Sequence, residues 1–184
     1  MLIAILIIVI LVAVWGVSAY NGFVKADNNV EEAYSTMEVY LKKRYDLIPN
    51  LVETVKGYAK HESETLTKVI EARNAVGTAT TTNAKVVSEA KLTDTLNSLF
   101  AIAEAYPDLK ANANFQELMG QLERVELDIA NARKYYNACV KNFNIKLQAF
   151  PSSIIGSLFH YEKKAMFEVA DAAERENVKV SFTE

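Results

Sequence analysis

The sequence predicts an all-α protein in which an N-terminal transmembrane helix continues into a long antiparallel up-down helical bundle. The bundle is expected to hold three long helices plus a short C-terminal helix. Gly and Pro are scarce, with 6 and 3 residues among 184, while residues that favour helices are plentiful. Apolar residues also recur at steps of three and four along most of the chain, which is the period of an amphipathic helix. The two observations together indicate few, long helices.

The N-terminal segment is apolar enough to cross a bilayer. Residues 2–24 carry no charged side chain, and about 20 helical residues span the roughly 30 Å hydrocarbon core of a membrane. Trp15 and Tyr20 lie toward the end of this run, where amphipathic aromatic rings suit the membrane interface. We therefore predict a transmembrane anchor over residues 1–22, with the lipid bilayer as its partner.

Two other interpretations of this segment remain open. Residues 17–19 loosely resemble the cleavage site of a secretory signal peptide, although no Lys or Arg precedes the apolar run, as is usual in such peptides. A buried helix of a soluble protein is the second, and it fits the length and flanks less well. A lipid anchor on a cysteine after the apolar run is excluded, because the single cysteine is Cys139.

The charges that flank the anchor bear on its orientation. No basic side chain precedes it, and Lys25 on the other side is soon followed by Asp27. The basic residues at 42–44 lie at the outer limit of the window in which positive charge sets topology. This pattern slightly favours an exterior N-terminus and a cytoplasmic bundle. The expected topology is a single crossing of the membrane.

The predicted bundle occupies residues 23–151. No flexible linker follows the anchor, and apolar residues at helical spacing continue directly into a first long helix. Pro49 removes a backbone donor and disfavours helical geometry at Ile48, so we expect a kink or a short break there. The pattern resumes and then stops at residues 77–83, whose small, polar and β-branched side chains indicate a loop.

Two further helices are predicted after this loop. The second covers about residues 85–106 and ends at Pro107. The third begins near Asn112 and runs to Leu147 with five heptads of continuous apolar seam, and Pro151 closes it. At about 1.5 Å per residue it is on the order of 55 Å long, so the other helices must fold back along it. Short connections then predict antiparallel neighbours.

Residues 152–184 are predicted to form an apolar cap followed by a charged C-terminal tail. The apolar stretch 154–159 is interpreted as a short helix that packs on the end of the bundle. The alternative is a segment that binds a partner protein or dips into the membrane.

Composition and motifs argue against several classes of function. A net charge of −3 provides no excess of basic residues for nucleic acid. A single cysteine, interpreted as a small buried residue, allows neither an intramolecular disulfide nor a cysteine metal site. His61 and Glu62 lack the second histidine of a zinc-protease helix, since Thr65 stands in its place. His160 is interpreted as an end-cap or surface residue. Without a phosphate-binding glycine loop or an exposed-serine turn, we predict no cofactor, no metal and no enzymatic activity.

Polar residues lie on or beside the apolar seams of the first and third helices. Such groups usually have partners near a core. We predict that Arg44 or Arg73 pairs with Glu126 or Glu62 and fixes which helices face each other, and in what register. The alternatives are a ligand groove, a contact with another chain, or a catalytic role, although the set offers no nucleophile with a base. The predicted structural polar seam contains Arg44, Glu62, Arg73, Glu126, Arg133, Asn137 and Asn144.

Several blocks of the sequence resemble the LemA family of bacterial membrane proteins, and the resemblance covers nearly the whole chain. The longest block is RYDLIPNLV at residues 44–52. The others lie, in family order and at similar spacing, at residues 20–21, 55–58, 61–62, 72–73, 111–115, 126, 129–130, 132–133, 136–137, 144 and 150–151. The resemblance implies an N-terminal membrane segment and a helical bundle, without an established biochemical activity. Some relatives are associated with intracellular membrane compartments of magnetotactic bacteria.

With this resemblance, the sequence predicts a non-enzymatic, membrane-anchored helical scaffold of the bacterial cell envelope. Its expected location is the bacterial cell (inner) membrane, crossed once. Anchoring raises the effective concentration of copies in the membrane plane, so we expect a homo-oligomer that assembles through outer faces of the bundle. One alternative is an accessory or adaptor subunit for a membrane protease or signalling system, which would present the apolar tail to other membrane proteins. A hydrolase of unknown type is the other alternative.

Overall fold

The fold was analysed on a computed structural model that describes residues 1–167, with the backbone alone at residues 82 and 83. All regular secondary structure in this range is α-helical, which confirms the predicted fold class. The predicted charged tail lies largely beyond residue 167, outside the described residues. Six helices follow one another: α1 Leu2–Tyr58, α2 Ser63–Thr78, α3 Thr82–Ala105, α4 Pro107–Lys110, α5 Ala113–Gln148 and α6 Ser152–Leu158.

Helix α1 is 57 residues long and continues through Pro49. The short break predicted at Pro49 is therefore wrong, and the chain leaves helical geometry only at residues 59–62. A proline inside a helix costs a hydrogen bond and crowds the preceding turn. Here its neighbours Ile48, Leu51 and Val52 are all buried, and burial of apolar side chains on both sides of the proline offsets that cost. A kink at Pro49 stays a prediction.

The chain divides into two compact units. The first unit is built from Met1–Leu47 and Glu117–Met166, and the second from Ile48–Gln116. In the first unit, the ring centroids of Tyr34 and Tyr136 lie 5.7 Å apart, and those of Phe23 and Phe143 lie 6.1 Å apart. Positions therefore fall along α1 as they rise along α5, so the two helices run antiparallel.

The core of the first unit comes from apolar side chains three, four or seven positions apart on each helix. This spacing places them on one face, as in other amphipathic helices. Full burial of one such side chain stabilises a fold by about 1.5–3 kcal/mol. The buried set on α1 is Phe23, Val30, Ala33, Met37 and Leu41, and it is matched on α5 by Val125, Ile129, Ala132, Tyr136, Val140 and Phe143.

The second unit contains a helical hairpin of α2 and α3, which pack against each other. Thr81 caps α3, because its hydroxyl oxygen accepts a hydrogen bond from the backbone N–H of Ala84 at 3.2 Å. The cap starts the helix three residues earlier than predicted, and the loop shrinks to residues 79–81. Buried side chains of the hairpin are Leu66, Val69, Ala72 and Val76 on α2, and Val86, Leu92, Leu96, Leu99 and Ala103 on α3.

Helices α4 and α5 begin where the sequence supplies start signals. Pro107 opens α4 at its first turn, a position where its missing N–H would have had no helical partner. The side-chain oxygen of Asn112 accepts a hydrogen bond from the backbone N–H of Phe115 at 3.0 Å and so caps α5. Helix α5 then runs to Gln148, within one residue of the predicted bounds.

Helix α6 ends in a tight reversal of the chain. His160 adopts a left-handed conformation with φ 56°. The backbone N–H of Tyr161 donates to the carbonyl of Gly156 at 2.9 Å, and that of His160 donates to the carbonyl of Ser157 at 3.2 Å. This pair of bonds is the Schellman motif that closes many helices. It sends the following residues, 161–166, back across the first unit, and we call this segment the C-terminal strap.

Candidate functional site

A partly buried ion pair joins α1 to α5 in the first unit. Arg44 on α1 is only 1% exposed, and its Nη1 lies 2.9 Å from Oε1 and 3.1 Å from Oε2 of Glu126 on α5. A guanidinium taken out of water needs such a carboxylate, because an uncompensated buried charge is strongly destabilising. The structure thus forms the Arg44–Glu126 pair, which is one of the pairings predicted from the sequence.

Arg133, two turns along α5 from Glu126, is a second cation of this cluster. Burial lowers its pKa, and the positive charge of Arg44 lowers it further, while the Glu126 carboxylate opposes both. An arginine remains protonated under such a shift. The two guanidinium groups therefore share the field of one carboxylate, and we call Arg44, Glu126 and Arg133 the polar cluster.

The C-terminal strap is held on α5 by side chains that bond to its backbone. Asn144 is buried, and its amide nitrogen donates to the carbonyl of Lys164 while its oxygen accepts from the N–H of the same residue, both at 2.9 Å. The Tyr136 hydroxyl donates to the carbonyl of Ala165 at 3.0 Å. Both polar ends of one buried amide are thereby satisfied by one extended residue.

Two side chains of the strap also reach α1. The ring of Tyr161 stacks on Phe23 with centroids 5.0 Å apart and planes 16° apart. The ammonium of Lys164 pairs with the carboxylate of Asp27. The strap therefore bridges α1 and α5, which the sequence analysis missed. The available signal was Asn144 itself, an amide at a buried seam position that requires partners.

The remaining predicted seam residues lie apart from the polar cluster or beside it. Glu62, at the start of α2 in the second unit, accepts a hydrogen bond from the Tyr106 hydroxyl at 3.3 Å. Burial, and then the charge of Glu62, raises the pKa of Tyr106. Arg73 is half-buried on α2, and Asn137 is half-buried on α5. The predicted set is thus divided between the two units.

The structure also corrects individual residues. Cys139 is half-buried rather than buried, because it lies one turn from the exposed Tyr135; a hydrogen bond with Cys139 is the main cause of a raised Tyr135 pKa. His160 is exposed, as expected of a surface residue. Glu89 on α3 was missed, although it is 98% hidden from solvent. Its signal was its place between Val86 and Leu92, three residues from each along the seam.

The chemistry available in these sites is that of pairing and packing. Between residues 1 and 167, no group of three or more His, Cys, Asp or Glu side chains is placed to hold a metal ion. A shallow groove of about 480 Å³ lies in the second unit, with Val52, Leu66 and Ile70 on its apolar wall and Lys56 and Lys60 on its polar rim. The polar cluster itself contains two cations and a carboxylate but no nucleophile.

The N-terminal part of α1 differs from every other helical face that the structure describes. Residues 2–15 of this helix are all exposed, and within residues 1–167 α1 alone is long and apolar enough to cross a membrane. The ring of Tyr20 lies 4.5 Å from that of Phe159 at the end of α6. The chain is thus an all-α protein with one candidate membrane span that continues into a helical body.

Comparison with known proteins agrees with this class. The family model described as LemA family matches residues 33–182, and the chain belongs to the LemA family. It is 25% identical over 165 residues to protein LemA of Metamycoplasma hominis, an alignment that covers 89% of this chain and 74% of that protein. Two magnetosome proteins, MamQ 2 of Paramagnetospirillum magneticum and MamQ of Magnetospirillum gryphiswaldense, are 24% and 23% identical over 181 residues.

The alignments with the two MamQ proteins cover 84% of this chain and 66% of each relative. The chain therefore spans about two thirds of their length. Membership of the LemA family and the exposed apolar part of α1 together identify a membrane-associated helical protein.

Proposed function

We propose that this protein is a non-enzymatic, membrane-anchored helical scaffold of the bacterial cell envelope that assembles with itself. The supporting observation is the continuity of α1. The exposed residues 2–15 of this helix continue, without a linker, into the part of α1 that forms the core of the first unit. A retained anchor over residues 1–22 would then hold the first unit directly at the bilayer surface.

The use of polar side chains supports a scaffold over a catalyst. Arg44 and Glu126 form the ion pair that joins α1 to α5, and Asn144 forms the hydrogen bonds that hold the strap. Groups committed to such contacts hold a single arrangement of helices. Covalent attack on a substrate would instead require a nucleophile beside a base, and these groups do not provide that combination.

Self-assembly is supported by the anchor and by the outer faces of the first unit. Val39 and Tyr135 are large side chains that remain exposed outside the proposed span. Single exposed apolar residues are common on monomers. In the membrane plane, however, confinement raises the effective concentration of neighbouring copies, so that modest contacts suffice for association.

The first experiment is light scattering coupled to gel filtration on the full-length protein in mild detergent, beside a truncated variant that begins at Tyr20. We expect a defined oligomer for the full-length protein and a smaller species for the truncated one. A monomer at every concentration, for both proteins, would contradict self-assembly. The intact mass of the membrane-purified protein tests the anchor, because a cleaved signal peptide would remove about 20 residues from it.

The proposed location is the inner membrane with the helical body in the cytoplasm. The test is labelling by a membrane-impermeant maleimide in intact cells, with Asp46→Cys in a Cys139→Ser background. Asp46 is exposed on α1. We expect labelling only after the cells are lysed. Equal labelling before lysis would place the body on the exterior.

A further inference from the structure

Four large apolar side chains remain exposed where α5 ends and α6 begins and closes. We call them the apolar corner: Phe150, Ile154, Leu158 and Phe159. Ile154 and Leu158 are four residues apart and so share one face of α6. The other face, with Ile155 and Gly156, is buried. Both of these faces of the helix are therefore apolar, and only one of them is covered by this chain.

The buried face of α6 packs beside the end of the membrane anchor. Ile155 Cδ1 lies 4.0 Å from the point where a Cβ on Gly16 would stand. A Cβ on Gly156 would come within 2.6 Å of Leu147 and 3.3 Å of Phe23. Glycine at position 156 therefore lets α6 lie close to Phe23 without displacing the Leu147 side chain.

Helix geometry places this contact at the depth of the membrane boundary. From Leu2 to Gly16, α1 rises only about 21 Å. The hydrocarbon core of a bilayer is roughly 30 Å thick. If α1 spans this core, its residues up to about Tyr20 lie within the hydrocarbon core or at its boundary. Ile155 and Phe159, which lie beside Gly16 and Tyr20, then stand at that same level.

The charge pattern around the corner fits the same environment. Residues 147–161 contain no Asp, Glu, Lys or Arg, so the corner can enter the interface without burying a charge in lipid. Lys146 precedes this stretch, and Glu162 and Lys163 follow it. Lysine side chains at such positions can extend their ammonium groups toward phosphate headgroups while their stems stay apolar.

We infer that the apolar corner is a lipid-binding surface, in which α6 lies in the bilayer interface and Ile154, Leu158 and Phe159 contact acyl chains. The inference goes beyond the scaffold function and rests on the proposed anchor. It gives the first unit two attachments to one membrane. A second attachment beside the span restricts the tilt and the rotation of the unit about the anchor.

The test places a nitroxide spin label on the full-length Cys139→Ser protein in vesicles of phosphatidylcholine and phosphatidylglycerol. Leu158→Cys carries the label on the corner. Leu127→Cys on α5 is the matched control, since the two leucines are 66% and 61% exposed, and Val14→Cys, 63% exposed, reports on the anchor. Collision rates with oxygen, which concentrates in lipid, and with a nickel chelate, which stays in water, are measured at each site.

We expect the oxygen-to-nickel ratio at residue 158 to exceed that at residue 127 several-fold and to lie below that at residue 14. A ratio at 158 equal to that at 127, with residue 14 in lipid, would overturn the inference and leave the anchor intact. Water exposure at residue 14 would overturn both. Shielding of residue 158 from both reagents would show a protein cover, from a partner or a second copy, and would also overturn it. Ile154→Cys repeats the measurement independently.

Discussion

The two units solve the same packing problem by different means. In the second unit, three residues connect α2 to α3, so the short loop itself decides which side chains of the hairpin meet. In the first unit, α1 and α5 are far apart in sequence, and a repeating apolar seam could pair in several registers. That unit buries Arg44 against Glu126 and clamps the strap with Asn144. The hairpin buries Glu89 as well, so buried polar groups occur in both units. In the first unit such contacts join helices whose register the chain connectivity does not set.

The largest effect is expected from the apolar hairpin. Leu99 is fully buried on α3, so Leu99→Ala should lower the free energy of unfolding by about 2–5 kcal/mol through lost burial and a residual cavity. Urea unfolding measures the loss, and hydrogen exchange locates it. We expect faster exchange in α2 and α3. A uniform change across both units would show that they unfold together, and their stabilities could then not be compared separately.

The next effect tests the polar cluster. Glu126→Ala leaves Arg44 buried without its carboxylate and should cost about 3 kcal/mol. Glu123→Ala is the matched control, because Glu123 is exposed on the same helix and should change stability by less than about 0.5 kcal/mol. Equal losses for the two variants would remove the ion pair from the explanation of register. In the Arg44→Met, Glu126→Leu double variant we expect stability to return toward that of the parent protein.

A smaller and more local effect should follow from releasing the strap. Asn144→Ala removes both bonds to Lys164 and leaves those backbone groups with weaker partners, at a cost of about 1–3 kcal/mol. Limited proteolysis should then cut within residues 161–166 while α5 stays intact. Asn142→Ala, a change of the same type on the same helix, is the control, because Asn142 is exposed. Unchanged protease resistance of the strap would show that Asn144 does not hold it.

The strap should also respond to alkaline pH. Burial raises the pKa of Tyr136, whose hydroxyl bonds to Ala165, and burial with nearby Tyr20 and Asp27 raises that of Tyr161. Both tyrosines are neutral below about pH 10, the usual value of the unfolded chain, so stability there is independent of their titration. Above it the unfolded state ionises first, and stability falls by at most about 1.4 kcal/mol per pH unit and residue. Tyr136→Phe should flatten this fall, as followed by unfolding at pH 8 to 11.

The smallest effect is expected on the surface. Lys42 and Asp46 form an exposed ion pair one turn apart on α1, with Nζ and Oδ1 2.5 Å apart. Asp46→Ala should change the free energy of unfolding by no more than about 0.5 kcal/mol, since such pairs are screened by water and salt. A loss as large as that of Glu126→Ala would mean that burial is not what gives the polar cluster its strength.

The sequence predicted most reliably what periodicity and end signals control. Helix α5 was placed within one residue because its apolar seam is unbroken and Asn112 caps its start. The short break expected at Pro49 was wrong, because burial of Ile48 and Leu51 outweighs the local preference of proline against helix. The strap was not predicted, because it has no periodicity and is held through backbone groups of Lys164 and Ala165 that any residue would supply.

Because α1 is continuous, it also fixes the rotation of the proposed anchor about the helix axis relative to the first unit. Each residue advances a helix by about 100°, so one alanine inserted after Gly22 would turn Gly16 and Tyr20 away from α6 by more than a quarter of a revolution. Four inserted residues would nearly restore the facing, at about 40° from the start, one turn farther along the axis. The number of residues between Gly16 and the core thus sets which face of the proposed anchor lies against α6.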